Sequence, residues 1–226
     1  HTRKQGLASV LIDSEVRQSP PQALANFGIG TLGLALMEPD AADDADLLRA
    51  HGAGDPHAFA RLYDRYDRPC FQFIRRLLGA AHGDAAEDLH QETWIAISRN
   101  AAAFDPGKSS FAAWLFTIAR HKTWDHFRRQ KVAVLASAQD DAAMMVADPG
   151  QTPLERVQSR ELAQEIVSAV EALPLEQRGV FVMFAQAGLS LEEIAQVTGV
   201  AVETAKSRLR YARAKLRQSL AGERSP

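Results

Sequence analysis

The chain has 226 residues, of which 46% are hydrophobic and 24% charged, a balance that excludes a disordered chain, a collagen-like chain and a polytopic membrane protein. It has 26 Lys and Arg against 28 Asp and Glu, so it is not uniformly basic, and its charge has to be examined segment by segment. The single cysteine, Cys70, excludes a disulfide scaffold and lies in an apolar stretch, which predicts a buried side chain.

Residues 1–43 form an N-terminal extension without a sustained hydrophobic period. Its one apolar run, residues 27–37, is shorter than the roughly 20 residues that a membrane helix needs. Basic residues precede this run, as in a signal peptide, but no small-residue cleavage site follows it. We therefore expect Met37 to be the natural start, and residues 1–36 to be disordered or non-native.

Helical periodicity dominates from residue 44 onward, and no segment alternates with period two, so the predicted fold class is all-α. Asp55 followed by Pro56 predicts the start of a first long helix. Pro69 is expected to open a separate second helix, which Gly79 ends. Two further helices are predicted over residues 83–99 and 111–131.

Residues 132–160 change in composition and predict a linker between two domains. They are rich in Ala, Asp, Gln and Pro and show no strong period. The predicted architecture is two small helical domains, over residues 44–131 and 161–222, joined by this flexible linker. Predicted helices after the first domain lie near residues 155–172, 175–187, 190–197 and 201–219.

The C-terminal domain has the pattern of a helix-turn-helix. Ser190 lies three residues before Glu193, the spacing of a capping box at the start of a short helix, and Gly199 ends that helix. The next helix carries six basic residues against one acid, which suits the major groove of DNA. A solvated basic face is the plain alternative. The predicted core stripe of this helix is Val202, Ala205, Leu209, Ala212 and Leu216.

The predicted helix 83–99 carries an acidic face. Its acidic and amide side chains are spaced at i, i+1, i+4 and i+5, and no basic residue interrupts them between positions 84 and 92. Such a face suits docking to a basic partner surface, with a solvated face as the plain alternative. A metal-dependent hydrolase using these carboxylates is a weaker interpretation, because no nucleophile or complete ligand set lies nearby in sequence.

The predicted helix 111–131 has the opposite charge, with five Lys and Arg residues against one acid. Trp124 lies four residues from both Arg120 and Arg128, so an aromatic ring is expected between two guanidinium groups. Basic groups follow a phosphate backbone, and an exposed aromatic ring can stack on an unpaired base. A core position for Trp124 is the open alternative.

Two blocks of this sequence, over residues 86–129 and 173–217, closely resemble the extracytoplasmic-function (ECF) group of bacterial sigma-70 factors. The first reads AEDLHQETWIAISRNAAAFDPGKSSFAAWLFTIARHKTWDHFRR, and the second begins LPLEQRGVFVMFAQAGLSLEEIAQVTG. The resemblance covers about residues 44–220, and the short linker is typical of this minimal two-domain group. It makes the first domain sigma region 2 and the second domain sigma region 4.

The resemblance implies a cytoplasmic protein that binds core RNA polymerase, directs promoter-specific transcription initiation and helps melt the −10 region. Its expected partners are core RNA polymerase, promoter DNA and an anti-sigma factor, which in many members lies at the inner membrane. It implies a monomer when free, and no enzyme activity, catalytic residue, cofactor, metal or small-molecule substrate. The alternative is a stand-alone helix-turn-helix regulator, which would bind duplex DNA tightly as a dimer without polymerase.

The resemblance also implies a role for three sets of residues. Those expected to dock on core polymerase are Asp84, Glu87, Asp88, Gln91 and Glu92. Those expected to contact −10 DNA are Asn100, Phe104, Lys108, Ser109, Arg120, Lys122, Trp124, His126, Arg128 and Arg129. Those expected to contact −35 DNA are Glu203, Thr204, Lys206, Ser207, Arg208, Arg210, Tyr211 and Arg213.

Overall fold

The computed structural model describes residues 43–134 and 164–221. All regular structure in these two stretches is helical, which confirms the predicted fold class. The expectations about residues 1–36 and most of the predicted linker fall outside the described residues. The helices are α1 (Asp44–Gly52), α2 (Pro56–Leu78), α3 (Ala85–Arg99), α4 (Phe111–Val134), α5 (164–171), α6 (Leu175–Ala185), α7 (Leu191–Thr198) and α8 (Val202–Ala221).

One helix, α2, occupies the place where the sequence predicted two. Asp55 caps its start through its side chain, and Gly79 ends it with a φ of 72°, both as predicted. The prediction that Pro69 opens a new helix is wrong, since Pro69 lies buried inside α2. The apolar stripe continues in phase from Tyr66 to Phe73, and its burial offsets the backbone hydrogen bond that a proline removes.

The first domain packs α1 to α4 around a core that is closed to solvent. Phe73 of α2 and Phe116 of α4 are both fully buried and meet edge to face, with ring centroids 5.1 Å apart. Cys70 has 0% exposure, as its apolar context predicted. Burial raises the pKa of the Cys70 thiol, so this sulfur is held in its protonated form.

The second domain, α5 to α8, contains the predicted helix-turn-helix in α7 and α8. The Ser190 Oγ accepts the Glu193 backbone N–H at 3.2 Å, and a Glu193 carboxylate oxygen accepts the Ser190 N–H at 2.8 Å, so the capping box is confirmed. Gly199 ends α7 in the left-handed conformation, with a φ of 67°. Val202 departs from the predicted core stripe, because it is the first residue of α8 and points off the helix end. It is 37% exposed, whereas Ala205, Leu209, Ala212 and Leu216 are buried.

The two domains contact each other, chiefly through α6 on α2 and α7 on α4. The Arg178 guanidinium donates to the Leu77 carbonyl at 3.0 Å and to the Leu173 carbonyl at 3.1 Å, so it joins the end of α2 to the turn before α6. Gly179 permits this approach. A Cβ there would lie 3.5 Å from Cδ2 of Leu77 and 4.0 Å from Cη2 of Trp124. Helical periodicity carries no information about such long-range contacts, and the sequence did not predict them.

Candidate protein and nucleic-acid interfaces

The acidic face of α3 (Asp84, Glu87, Asp88, Gln91 and Glu92) lies mostly in solvent. Glu87, Asp88 and Gln91 are exposed, and the first two stand in the first turn of α3, where the helix dipole favours negative charge. Glu92 is half-buried and pairs with Lys122 of α4, with 3.0 Å between Nζ and Oε2. Asp84 is exposed and immediately precedes the helix. The structure therefore presents one continuous acidic strip, and Glu92 is tied to the neighbouring helix.

Ile95 extends this acidic face, and the sequence reasoning missed it. It lies four residues after Gln91 and is 42% exposed, one of few large apolar side chains exposed in the described part of the chain. Depletion of charge and exposure of apolar groups at the centre of a patch are typical of protein interfaces. The signal was present in the sequence, since an apolar residue at i+4 from a polar strip shares that strip.

A cluster of polar and aromatic side chains lies at the contact between α3 and α2. The Trp94 indole N–H donates to Nε2 of His90 at 3.0 Å, and the same nitrogen lies 3.2 Å from a carboxylate oxygen of Asp67 on α2. Tyr63 packs on Trp94, with ring centroids 4.9 Å apart. Burial lowers the pKa of His90, and the charge of Asp67 opposes that shift. In its neutral form, His90 accepts the Trp94 hydrogen bond within α3, and the packing of Trp94 on Tyr63 joins α3 to α2.

This cluster makes the stability of the protein depend on pH. The pKa of His90 is lower in the folded chain than its ordinary value of about 6.5, so the unfolded chain binds the proton more readily. The free energy of unfolding is expected to be highest above that pH and to fall as the pH drops from 7 to 5. His90→Gln keeps an acceptor without titrating, so it should reduce this fall, measured by denaturant unfolding at each pH.

His126 contributes to the same slope, because burial and the neighbouring His82 lower its pKa. The slope is therefore expected to become shallower in His90→Gln rather than to vanish. An unchanged slope in His90→Gln would show that His90 does not carry this dependence.

The loop between α3 and α4 is held in shape by Asp105. One Asp105 oxygen accepts the Gly107 backbone N–H at 3.0 Å, and the other lies 2.8 Å from Nζ of Lys108. These interactions lower the pKa of Asp105, with the Lys108 hydrogen bond as the largest cause. Lys108 is exposed and Ser109 half-buried, so both predicted −10 residues are on a preorganised loop.

The other two predicted −10 residues of this segment have structural contacts. The Asn100 side chain donates to the Ala96 carbonyl at 2.7 Å and so caps the end of α3. The Phe104 ring is half-buried and packs on Trp114, with centroids 5.3 Å apart. Phe104 anchors the loop to α4.

The predicted alternation of Arg and Trp on α4 is present, but Trp124 is not an exposed ring. The Arg120 guanidinium lies 4.4 Å from the centroid of the Trp124 ring, and both side chains are partly buried. Arg128 and Arg129 are exposed at the far end of the helix, where Arg128 pairs with Asp125. The second domain therefore covers the basic face of α4 at Arg120 and Trp124, whereas the end with Arg128 and Arg129 stays exposed.

The structure divides the predicted −35 residues of α8 into two groups. Tyr211 is 56% exposed, and Ser207 is half-buried on the same outer face. Arg208 instead pairs with Glu176 of α6 at 3.0 Å, and the Arg213 guanidinium lies 5.0 Å from the centre of the Phe184 ring. Burial lowers the pKa of Arg213. The other residues of the set that are exposed are Glu203, Thr204, Lys206 and Arg210.

Within residues 43–134 and 164–221, no group of three or more His, Cys, Asp or Glu side chains is placed to hold a metal ion. None of the helices described there combines the length and the apolar character needed to cross a membrane.

Comparison with known proteins identifies the family of this chain. The family described as Sigma-70 region 2 matches residues 62–132, and Sigma-70, region 4 matches residues 163–216. The ECF RNA polymerase sigma factor SigW of Bacillus subtilis is 34% identical over 174 residues, which cover 74% of this chain and 91% of SigW. The chain belongs to the ECF sigma factors. It is thus a factor that directs RNA polymerase to promoters for transcription initiation.

Other sigma factors show the same likeness over both domains. SigM of Mycobacterium tuberculosis is 33% identical over 177 residues, which cover 78% of this chain and 84% of SigM. Among solved structures, the sigma factor RpoE in complex with the anti-sigma factor NepR from Bartonella quintana has a TM-score of 0.60 and 28% identity. That match covers 74% of this sigma factor and 98% of RpoE. CnrH in complex with the cytosolic domain of CnrY has a TM-score of 0.57 and 26% identity, over 80% and 99% of the two chains.

Proposed function

We propose that the acidic face of α3 is the surface by which this sigma factor docks on core RNA polymerase. The supporting observation is the separation of charge: an exposed acidic strip on α3 and exposed basic residues on α8 are on different helices of one chain with a net charge of −2. Opposite charges steer association with a basic partner, and an apolar residue such as Ile95 adds contact area. The acidic face therefore binds protein, whereas the basic helices bind DNA.

We propose that the loop at 100–110 and the basic face of α4 bind the −10 element. Separating base pairs costs about 1.4 kcal/mol of stacking per step, and binding of the separated strand offsets that cost. The exposed Lys108, Arg128 and Arg129 supply charge for the backbone, and the loop ordered by Asp105 supplies a preformed edge. A free sigma factor then binds duplex DNA weakly, and polymerase supplies the remaining positioning.

We propose that α8 lies in the major groove at the −35 element. Its early exposed residues, Glu203, Thr204 and Lys206, reach base edges, while Arg210 contacts base or backbone. Gly199 gives the tight turn that sets α8 at an angle to α7. In this assignment residues 44–131 and 161–222 are the two functional domains.

We propose that the protein acts in the cytoplasm as a monomer without a catalytic step of its own, and that an anti-sigma factor restrains it. The likeness to RpoE, whose structure was solved with the anti-sigma factor NepR, supports this partner. If the anti-sigma factor of this protein lies at the inner membrane, the complex of the two proteins would be held at that membrane.

Run-off transcription tests the proposed promoter recognition. Purified core RNA polymerase is incubated with a fragmented genomic library, with and without the full chain. Discrete new transcripts are expected only when the chain is present, and their start sites should share two sequence elements at −35 and −10. The absence of new transcripts, together with tight binding of the free chain to a duplex site, would overturn the proposal.

A further inference from the structure

Glu176 of α6 holds one arginine from each of the two helices that we propose to bind DNA. One of its carboxylate oxygens lies 3.8 Å from Nη2 of Arg120 on α4, and the other lies 3.0 Å from Nη1 of Arg208 on α8. The Arg120 side chain is only 14% exposed in this position. A single carboxylate therefore bridges a cation of the first domain and a cation of the second.

A carboxylate carries the same single negative charge as a phosphate of the DNA backbone, and both offer two oxygen atoms to a guanidinium group. Arg120 and Arg208 cannot pair with Glu176 and with a DNA phosphate at the same time. We propose that Glu176 is an internal mimic of a DNA phosphate, which holds the free protein in a closed form that does not bind DNA. This inference rests on the proposed function, because it uses the DNA roles of those two arginines.

Further contacts cover the −10 loop in the same arrangement. The Ser110 hydroxyl donates to the carboxylate of Glu193 at the start of α7. The Gln196 amide, one turn later, donates to the Lys108 carbonyl at 2.8 Å. Both loop residues, Ser110 and Lys108, lie in the segment 100–110 that we propose to bind the −10 element. Closing the domains thus blocks the loop and Arg120 together.

The interface between the two domains in the closed form is closely packed and hydrogen-bonded. Arg178 bridges the end of α2 and the turn before α6, and burial lowers the pKa of its guanidinium. The hydrogen bonds to carbonyls compensate for that burial. Gly179 leaves room for Trp124 and Leu77, both of the first domain, and no atom of its own domain outside α6 and its immediate neighbours lies within 4 Å of the Cβ position. A larger side chain there would meet Leu77 and Trp124 first, so it is expected to push the two domains apart.

The comparison with RpoE supports a restrained arrangement. The match to RpoE bound by its anti-sigma factor covers 74% of this chain, at a TM-score of 0.60. An anti-sigma factor that binds the closed form more tightly than the open form would shift the population further toward the closure that Glu176 favours.

Closure makes DNA binding appear weaker than it is. When only a fraction of molecules is open, the apparent dissociation constant is the intrinsic constant divided by that fraction. Removing the Glu176 charge, or separating the domains sterically, should raise the open fraction. Two variants with unrelated physical effects can therefore test one closed form.

Energy transfer between two dyes measures closure directly. The dyes are placed on Asp64→Cys of α2 and Gln218→Cys of α8, which are both exposed, while the native Cys70 is buried and stays unlabelled. Glu176→Gln and Gly179→Leu are each expected to lower the transfer efficiency of the full chain. Glu192→Gln removes an equal charge from an exposed position of the same domain and should leave the efficiency unchanged.

Binding of a labelled 20-nucleotide single-stranded DNA, by fluorescence anisotropy at fixed low salt, measures the consequence. Both opening variants are expected to bind about three- to tenfold more tightly than the parent chain, while Glu192→Gln changes affinity by less than about 1.5-fold. Unchanged transfer efficiency in both variants would overturn the closed form. Lower transfer without tighter DNA binding would instead overturn the DNA role of Arg120, and the phosphate mimic with it.

Discussion

Replacing Glu87 and Asp88 by lysine is expected to weaken binding to core RNA polymerase by more than about 100-fold. Both side chains are exposed on α3, and neither forms an ion pair with another described residue, so the reversal leaves the packing of the domain intact. Like charges facing each other across an interface cost several kcal/mol, and each 1.4 kcal/mol is a tenfold change in affinity. Anisotropy of the labelled factor titrated with core polymerase measures the effect.

Glu92 is left unchanged in this experiment because of its contact with Lys122. A lysine at that position would face another lysine and disturb the packing of α3 on α4. The matched control is Asp64→Lys on α2, an exposed acid away from the acidic face, compared with the single variant Asp88→Lys. Equal affinities for these two single variants would contradict the docking assignment.

Replacing Arg210 by alanine is expected to lower transcription from promoters with a −35 element by about tenfold or more. Arg210 is exposed on α8, and its guanidinium lies 5.4 Å from the centroid of the Tyr211 ring, which stiffens its position. A well-placed arginine contact to a base contributes about 1–3 kcal/mol of discrimination. Run-off transcription on a promoter set with graded changes in the −35 element measures both activity and discrimination.

Lys215→Ala is the matched control for Arg210, because Lys215 is also basic and exposed but lies further along α8. We expect it to weaken all promoters by a similar small factor, since it changes only attraction to phosphates. If the two variants lost activity uniformly and equally, Arg210 would contact phosphate alone. If Arg210→Ala kept full activity, the placement of α8 at the −35 element would be wrong.

The parts of the fold that depend on local chemistry were predictable from sequence. The Asp55 cap, the Ser190 capping box and the turn at Gly199 each occur where a few adjacent residues satisfy the ends of a helix. Pro69 misled the prediction, because its local preference for a helix start is weaker than the continuous apolar stripe that α2 buries. Val202 misled it because a periodic stripe does not show that the first side chain of α8 points beyond the end of the helix.

Long-range contacts were not predictable in the same way. The spacing of Arg120 and Trp124 indicated an aromatic ring among guanidinium groups, but not that α6 would cover it. Arg208 and Arg213 belong to a basic helix by sequence, and only the packing of α6 shows that they face protein. Glu176 and Arg178 lie within the second sigma-like block, residues 173–217, but the sequence predicted no role for them. A contact between two domains produces no periodic pattern in the local sequence.

The burial of Cys70 makes its thiol a reporter of local unfolding in the first domain, a different motion from the separation of the two domains. A thiol with a raised pKa and 0% exposure reacts with an alkylating reagent only after the first domain opens. When reclosing is fast, the ratio of its labelling rate to that of an unfolded peptide gives the opening equilibrium constant. The same readout works in a lysate, where a bound polymerase or anti-sigma factor would slow the reaction in proportion to the protection it confers.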